Sequence, residues 1–421
     1  MVELTEVRIM ANWLKIAFGN LLKNRRRSLV TIMGIGIGFV SVSLFYGYIH
    51  NTYDGLRNAA IKGEGIGHLT IYKKGWFLKG KFEPDKYMFT DAELGKVKAI
   101  AKTDENVVLV TPQLSISGLV SNGKMSTIFM ASGVVPADEQ IIKGDWGKFR
   151  PVQGEKLSEK KEYGVEVAQD LAAILGMKPG SNGVVMATTP DGQMNALDIE
   201  VAGVFDTGTQ ASNDKYMRVP FSFAQSLYET EKADRIVVLL TDWQNTEAVR
   251  GDLLDKLNKA GLECEIKTWN ELSQFYSKVR GMFDMIFMFI FSIVFVVVSM
   301  SVVNTMGMAV VERTREIGTL RAIGVKRSGI SVLFAMEGAL LGFIGSVGGA
   351  VAHTLLCIAV KSGDLSYVPP GNSSSVPFIV DLLPGSMLIL AFFLISLSLF
   401  AAIFPARRAA RLNVVEALGH V

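Results

Sequence analysis

Glycine-rich and lysine-bearing segments are the parts of this sequence whose composition could bind a nucleotide. A phosphate-binding loop needs glycines followed by Lys and then Ser or Thr, so that backbone amides and an ammonium group surround the phosphates. No Gly-Lys pair in the chain is followed by Ser or Thr. The glycine-rich segments 34–38 and 63–67 lack both that Lys and a strand-to-helix setting. We therefore predict no nucleotide site in this chain.

Histidines and cysteines, the usual metal ligands and nucleophiles, are dispersed. The four histidines occur singly, at His50, His68, His353 and His420, so no ligand set has usable spacing. Cys264 and Cys357 fall in different predicted regions, and we expect no disulfide. The sequence predicts no catalytic residue, no metal site and no cofactor in this chain.

A charged segment, "VVERTREIGTLRAIGVK" (310–326), lies between two long apolar runs. Written as a helix, it places Ile317, Leu320 and Ile323 on one side and its charges on the other, and Gly318 and Gly324 allow a turn afterwards. Two interpretations fit: a solvated basic loop that sets topology, or a helix that docks a cytoplasmic protein. The residues that would carry such coupling are Glu312, Arg313, Arg315, Glu316, Leu320 and Arg321.

Long uncharged runs predict four membrane-spanning helices. The chain has 421 residues, of which 49% are hydrophobic and 20% charged, a mixture of membrane and water-exposed parts. About 20 apolar residues cross a bilayer core. The predicted spans are 28–53, 285–311, 329–360 and 382–406, and Glu337 interrupts only the third. The first apolar run is too long for a cleaved signal peptide.

Basic residues cluster in three flanks that lie on one face of a four-span chain. Lys and Arg in short flanks mark the cytoplasmic side. We therefore place an amphipathic segment 1–27, a coupling loop 312–328 and a tail 407–421 inside, with 54–283 and 361–381 outside. These flanks account for the net charge of +3, so no nucleic-acid partner is needed.

The outer insert 54–283 reads as a mixture of strands and helices. A strand, helix, strand pattern over 235–269 is similar to a ferredoxin-like module, split by an inserted β-rich lobe. Apolar residues three and four apart extend from both adjoining spans and predict a helical stalk, the alternative being ordinary spans with frayed ends. These stalk positions are Phe45, Ile49, Thr52 and Leu56, and Leu272, Phe275, Val279, Met282 and Ile286.

Small and polar residues inside the spans predict helix packing. Glycines three or four residues apart let helix backbones approach closely. In the third span, we expect Glu337 to approach an arginine of the basic loop and His353 to face a neighbouring helix. The glycines concerned are Gly34, Gly38, Gly338, Gly342, Gly345 and Gly349.

Three segments resemble one family. "VVERTREIGTLRAIGVKRSGI" (310–330), "FPARRAARLNVVEALGH" (404–420) and "LKNRRRSLVTIMGIGIG" (22–38) resemble the FtsX-like permease superfamily, which includes MacB-type exporters and the lipoprotein-releasing LolC and LolE permeases. "GIGHLTIYKKG" and "VAGVFDTGTQASN" are similar to the lipoprotein-releasing branch. The resemblance implies the type VII ABC exporter fold: an α-helical membrane protein with four transmembrane helices and a large α+β periplasmic domain inserted between helices 1 and 2.

The resemblance also implies partners. The chain would be a non-catalytic, multi-pass permease of the bacterial inner membrane, forming a homodimer or heterodimer with a second permease. Two copies of a cytoplasmic ABC ATPase would bind ATP and Mg²⁺ and grip the coupling helix. The other implied partners are a periplasmic carrier or adaptor protein and membrane lipids. Stalk motion would move the substrate outside the membrane, a mechanism called mechanotransmission.

Three functions follow from the resemblance. The first is extraction of a lipoprotein or other amphipathic substrate, with an acyl-chain pocket at Phe45, Ile49, Met282, Phe283 and Ile286. A MacB-like permease would instead export drugs or peptides. An FtsX-like transmitter would transport nothing and would control a periplasmic cell-wall hydrolase. A bound acyl chain would favour extraction, whereas a hydrolase held by the outer domain would favour signalling.

Overall fold

The structure is a computed structural model that describes residues 2–80, 82–145, 153–369, 371–411 and 414, with side chains from Trp13 onward. It divides into two compact units. The membrane unit comprises Met1–Thr52, Arg280–Leu365 and Pro377–Val421. The extramembrane unit comprises Tyr53–Val279 and Ser366–Val376.

The described helices and strands are numbered here in chain order. The helices are α1 (Val2–Lys23), α2 (Arg25–Asn58), α3 (Trp76–Lys79), α4 (Pro84–Tyr87), α5 (Asp91–Ala101), α6 (Pro136–Lys143), α7 (Gln169–Leu175), α8 (Gln210–Asn213), α9 (Phe221–Tyr228), α10 (Thr246–Lys259), α11 (Trp269–Leu272), α12 (Gln274–Glu312), α13 (Thr314–Ala322), α14 (Arg327–Ser362) and α15 (Pro384–Ala410). The strands are β1 (Leu69–Lys73), β2 (Val107–Ser121), β3 (Ser126–Val134), β4 (Gln153–Gly154), β5 (Gly164–Ala168), β6 (Asn182–Thr188), β7 (Met194–Phe205), β8 (Tyr216–Pro220), β9 (Arg235–Leu240), β10 (Cys264–Thr268), β11 (Ser366–Tyr367) and β12 (Val376–Pro377). A π-helical turn, Ala59–Gly63, continues α2.

Among the described residues, four helices are long and apolar enough to cross a membrane: α2 with its π-helical turn, α12, α14 and α15. The first three contain the predicted spans 28–53, 285–311 and 329–360, and α15 begins two residues after the start of the fourth predicted span, 382–406. The helix α12 has 39 residues. At 1.5 Å per residue it extends about 58 Å, which exceeds a hydrocarbon core of about 30 Å. The helices α2 and α12 therefore have the length that a stalk requires.

Glycines on α14 pack closely against two different helices; the close packing was predicted from the sequence, and the structure identifies the two partners. A Cβ atom at Gly342 would lie 2.9 Å from the Cα atom of Ile395 on α15. A Cβ atom at Gly349 would lie 2.7 Å from the Cβ atom of Phe39 on α2. Side chains larger than hydrogen would thus hold these helices apart, so close packing is the role of these glycines.

In the extramembrane unit, the sheet runs in the order β10-β1-β9-β2-β3-β8-β5-β7-β4, and β6 pairs with β2 and β7. Its first four strands pair antiparallel throughout. The chain passes from β1 through α5 to β2, and from β9 through α10 to β10. This is a ferredoxin-like arrangement, and β3 to β8 form the lobe inserted between β2 and β9. The predicted split module is confirmed.

Each part of the extramembrane unit has its own apolar core. The ferredoxin-like module buries residues of the strands against α5 and α10, including Leu69, Val97, Val238 and Leu253. The inserted lobe buries a second set, including Phe129, Val167, Leu171, Val185 and Phe223.

The C-terminal end of α2 and the N-terminal end of α12 meet in a third apolar cluster of the extramembrane unit. The ring of Tyr276 lies 6.1 Å from that of Tyr53 and 4.7 Å from that of Trp269, measured between centroids. Leu56, a predicted stalk position, packs partly buried there. Phe275, another predicted position, is 41% exposed, because its neighbour Tyr276 faces the cluster instead. An apolar pattern that counts Tyr as polar misses this contact.

Acid should weaken the extramembrane unit through His68. The imidazole is buried, and its Nδ1 accepts a hydrogen bond of 3.0 Å from the amide of Leu240. Burial, with help from Lys62, lowers the pKa of His68 from 6.5 to about 4. The unfolded chain therefore binds more protons in that range, and stability should fall as pH drops from 6.5 towards about 4. Thermal unfolding of the purified chain across this range measures the loss. His68→Gln, which keeps an acceptor but does not titrate, should flatten the dependence, and an unchanged slope would exclude His68 as its source.

Candidate functional site

The charged segment forms a separate short helix between two long ones. The helix α12 ends at Glu312, and Arg313 leaves the helical conformation (φ −112°, ψ 18°) before α13 begins at Thr314. The Thr314 hydroxyl donates a 3.0 Å hydrogen bond to the carbonyl of Val310, which fixes this bend. After α13, Gly324 adopts φ +105°, a left-handed conformation suited to glycine. The predicted helix and its final turn are confirmed.

Two details of this helix differ from the prediction. Gly318 lies inside α13 and is buried, so it is not part of the turn. Ile323 is 77% exposed, whereas Ile317 is buried and Leu320 is partly buried. The reason is that α13 ends at Ala322, so Ile323 no longer follows the helical repeat that would place it beside Ile317.

A buried carboxylate ties α13 to the rest of the membrane unit. Glu337, on α14, is only 2% exposed. Its Oε1 accepts a hydrogen bond of 2.9 Å from Nη1 of Arg313 and one of 2.6 Å from Nδ2 of Asn20. The predicted approach of Glu337 to an arginine is therefore confirmed. We call Asn20, Arg313 and Glu337 the buried joint.

Ion pairs surround the buried joint. Nη2 of Arg27 lies 2.6 Å from Oε1 of Glu312, and Nδ2 of Asn24 donates to the same carboxylate at 3.4 Å. Nε of Arg313 donates to Glu316 at 3.1 Å, and Lys23 lies 3.9 Å from Glu316. The helices α1, α2, α12, α13 and α14 are thus joined at one end of the membrane unit.

A small cavity of about 10 Å³ lies inside this group of contacts. It is lined by Asn20, Arg27, Thr305, Arg313 and Glu337, among others. The buried Nη1 of Arg27 has no protein partner among the described residues. The space is about the size that one water molecule needs.

Two further predicted coupling residues, Arg315 and Arg321, do not take part in the buried joint. Arg315 is exposed on α13. Nη1 of Arg321 donates to the carbonyl of Val325 at 3.1 Å, so this side chain closes the turn between α13 and α14. Sequence reasoning missed Asn20 and Asn24. Their spacing of four on the same helical face as Ala17 and Leu21 is the signal that could have indicated a buried polar contact.

The residues of the predicted acyl-chain pocket have different surroundings in the structure. The rings of Phe45 and Phe283 lie 6.3 Å apart, whereas Met282 and Ile286 are exposed. Two aromatic residues that sequence reasoning missed join the cluster. Tyr48 lies 5.9 Å from Phe283 and 5.3 Å from Phe378, measured between ring centroids.

Ile49, the fifth predicted pocket residue, is buried at 4% exposure. Deeper in the same membrane unit, His353 is buried, and its Nδ1 lies 3.0 Å from the hydroxyl oxygen of Ser43 on α2. His353 therefore faces a neighbouring helix, as the sequence predicts.

Two protein-family models match the chain. The FtsX-like permease C-terminal model matches residues 288–414, and the MacB-like periplasmic core domain model matches residues 28–256. The chain belongs to the MacB- and FtsX-like superfamily of ABC transporter permeases. The FtsX-like match includes Arg313 and Glu337 of the buried joint, and the MacB-like match includes most of α2 and most of the extramembrane unit.

Relatives of this permease align over nearly its whole length. It is 22% identical over 413 residues to the lipoprotein-releasing system transmembrane protein LolC of Neisseria meningitidis, covering 93% of both chains. It is 23% identical to an ABC transporter permease of Methanocaldococcus jannaschii, covering 96% of both. It is 24% identical to the macrolide export ATP-binding/permease protein MacB of Chlorobium luteolum, covering 96% of this permease and 59% of that protein.

A solved structure also resembles this permease. The periplasmic region of MacB from Actinobacillus actinomycetemcomitans covers 52% of this chain and 95% of its own, with 17% identity and a TM-score of 0.36. The four apolar helices and the family models together make this permease a membrane protein with a large periplasmic α+β domain.

Proposed function

We propose that this chain is the non-catalytic permease subunit of an ABC transporter of the inner membrane that works by mechanotransmission. Two copies of a separate cytoplasmic ATPase, which bind ATP and Mg²⁺, dock on α13. Their motion passes through the long helices α2 and α12 to the periplasmic domain. The permease pairs with a second permease, identical or related. The cargo is a lipoprotein or another amphipathic molecule, handed to a periplasmic carrier.

The buried joint is the observation that supports docking most strongly. A loop that only sets topology needs exposed basic residues, and it gains nothing from a carboxylate at 2% exposure. Taking Glu337 and Arg313 out of water is costly, and it is tolerated because the ion pair and the Asn20 hydrogen bond compensate. The pair fixes the position of α13, so that force applied to α13 moves α14 and α1 as well.

Exposed and aromatic side chains support an amphipathic cargo. Phe45, Tyr48 and Phe283 form an aromatic cluster, and Met282 and Ile286 remain exposed beside it along α12. Such a surface suits an acyl chain, because apolar area leaves contact with water. Alignment with LolC over 93% of both chains supports a lipoprotein. Export of a drug-like or peptide cargo is the second candidate, supported by 24% identity to MacB.

Reversing the charge of Arg315 should weaken ATPase binding. Arg315 is exposed on α13, whereas Arg321 closes a turn, so Arg315→Glu tests docking without disturbing the fold. Insertion should be intact, since the other basic flanks set topology. A repulsive charge at an interface costs several kcal/mol, so co-purified ATPase should fall by about tenfold or more. Arg26→Glu, an equal charge change at an exposed site outside α13, is the matched control.

The wild-type complex, purified in mild detergent, should contain an ATPase and a triacylated protein when examined by mass spectrometry. A small molecule or peptide in place of the lipoprotein would favour the second candidate. A cell-wall hydrolase without cargo would replace transport by signalling. If Arg315→Glu retains as much ATPase as wild type, docking on α13 is wrong.

A further inference from the structure

The loop that connects α14 to α15 folds as part of the extramembrane unit. Its residues Ser366–Val376 belong to that unit, although both helices that it connects belong to the membrane unit. The strands β11 and β12 pair within the loop. At its base, the amide of Phe378 donates a 2.7 Å hydrogen bond to the carbonyl of Leu365, which brings the two ends of the loop together.

Several hydrogen bonds fasten the tip of this loop to the segment 206–210. The amide of Gln210 donates to the carbonyl of Gly371 at 3.0 Å, and the amide of Ser373 donates to the carbonyl of Gly208 at 3.3 Å. The hydroxyl of Ser373 donates to the carboxylate of Asp206. Thr209 and Asn372 form an isolated β-bridge. The contact thus combines backbone and side-chain hydrogen bonds, which together hold the loop in a defined position.

The segment that receives the loop is itself held rigidly. Oδ1 of Asp206 accepts a 2.8 Å hydrogen bond from the amide of Gly208. The side chain of Asn213, 2% exposed, accepts a 3.2 Å hydrogen bond from the amide of Thr207. Asp206 therefore orders its own turn and also binds Ser373.

A buried ionic cluster lies next to the start of the segment 206–210. Phe205, the last residue of β7, lies under the guanidinium of Arg218, 3.7 Å from its ring centroid. Arg218 lies 2.9 Å from Glu166 and 3.5 Å from Glu139, and all three charged residues are less than 10% exposed. Burial raises the pKa of Glu166 above its usual value. The attachment point is anchored in the core of the inserted lobe.

The helix α14 carries the buried joint and also leads into this loop. Glu337 lies near one end of α14 and Ser362 ends it. A separation of 25 residues corresponds to about 38 Å along a helix. Because a helix transmits displacement along its axis without changing length, α14 can carry motion from α13 to the loop.

We infer that the α14–α15 loop is a tether that couples α14 and α15 to the inserted lobe, with Asp206 as its positioning residue. It provides a second path to the periplasmic domain beside α2 and α12. The attachment stands on its own contacts, whereas its role in transmission rests on the proposed ATPase-driven function.

A cysteine pair in the full-length chain tests the attachment. The Ser373 hydroxyl donates directly to the Asp206 carboxylate, so Asp206→Cys with Ser373→Cys should cross-link in native membranes under mild oxidation. Asp198→Cys with Ser373→Cys is the control, since Asp198 is exposed on β7, about 26 Å away along the strand. Mass spectrometry of the digested protein identifies the linked peptides. Equal cross-linking of both pairs, or of neither, would overturn the tether.

Amide hydrogen exchange tests the role of Asp206. Asp206→Ala loses the hydrogen bonds from the Gly208 amide and the Ser373 hydroxyl, and it should speed exchange at the Gln210 and Ser373 amides by about fivefold or more. Asp206→Asn keeps an acceptor and should restore protection, and Ser375→Ala, an exposed serine of the same loop, should have no effect. Unchanged exchange in Asp206→Ala would remove its positioning role.

Transmission is tested in the complex with the ATPase. ATP with vanadate should alter exchange in residues 206–213 of the wild-type protein, and Asp206→Ala should lose that response while still binding the ATPase. A response that survives in Asp206→Ala would contradict transmission through the tether. If no ATPase binds the wild-type chain, the proposed function fails, and the cross-link still decides whether the tether exists.

Discussion

Replacing Arg313 by Met should lower the free energy of unfolding of the membrane unit by about 3 to 5 kcal/mol, the usual cost of breaking a buried ion pair. Arg313 and Glu337 have side chains only 11% and 2% exposed, with 2.9 Å between Nη1 and Oε1. Met replaces the volume of the arginine stem but leaves the carboxylate buried without its counter-charge. Unfolding of the purified chain by titration with a denaturing detergent measures the loss.

Two further variants identify the cause of that loss. Combining Arg313→Met with Glu337→Gln removes both charges and should recover most of the stability, because Asn20 can still donate to the amide oxygen. Arg407→Met changes an exposed arginine of α15 and should alter stability by less than about 0.5 kcal/mol. If Arg313→Met behaves like Arg407→Met, the buried joint does not stabilise the helices.

Gly349→Leu should force α2 and α14 apart. The new Cβ atom would lie 2.7 Å from Cβ of Phe39 and 3.0 Å from the carbonyl oxygen of Gly36, both closer than van der Waals contact. One of these obstacles is backbone, so a rotamer change alone cannot relieve the clash. Overpacking of this kind costs about 1 to 3 kcal/mol, and ATPase-dependent transport should fall with it.

Gly348→Leu is the matched control for this change. Gly348 is the adjacent residue on the same helix, and a Cβ atom there would meet no atom within 4 Å. The same measurement of unfolding should show little change for Gly348→Leu. Equal losses for the two variants would mean that contact between α2 and α14 does not explain the effect, because the change from Gly to Leu raises helix propensity at both positions.

Local patterns were sufficient to predict the helices and the fold class. A bilayer requires about 20 apolar residues whatever surrounds them, so the four spans can be read from uncharged runs. The turn at Gly324 and the close-packed glycines also depend on neighbouring residues or on spacing along one helix. The ferredoxin-like module could be predicted because its strands and helices alternate in a simple order.

Contacts between distant residues were decided only by the tertiary structure. Asn20 and Glu337 are separated by 317 positions, and Ser373 and Asp206 by 167. Spacing within one element does not identify the partner in either pair, because a hydrogen bond depends on where two backbones meet. For the same reason the sequence did not show that Tyr276, and not Phe275, is buried at the N-terminal end of α12. The sequence by itself determined which segments enter the membrane and which carry charge. The tertiary structure decided which of those charged and hydroxyl groups bind each other, because only packing brings distant residues within hydrogen-bonding distance.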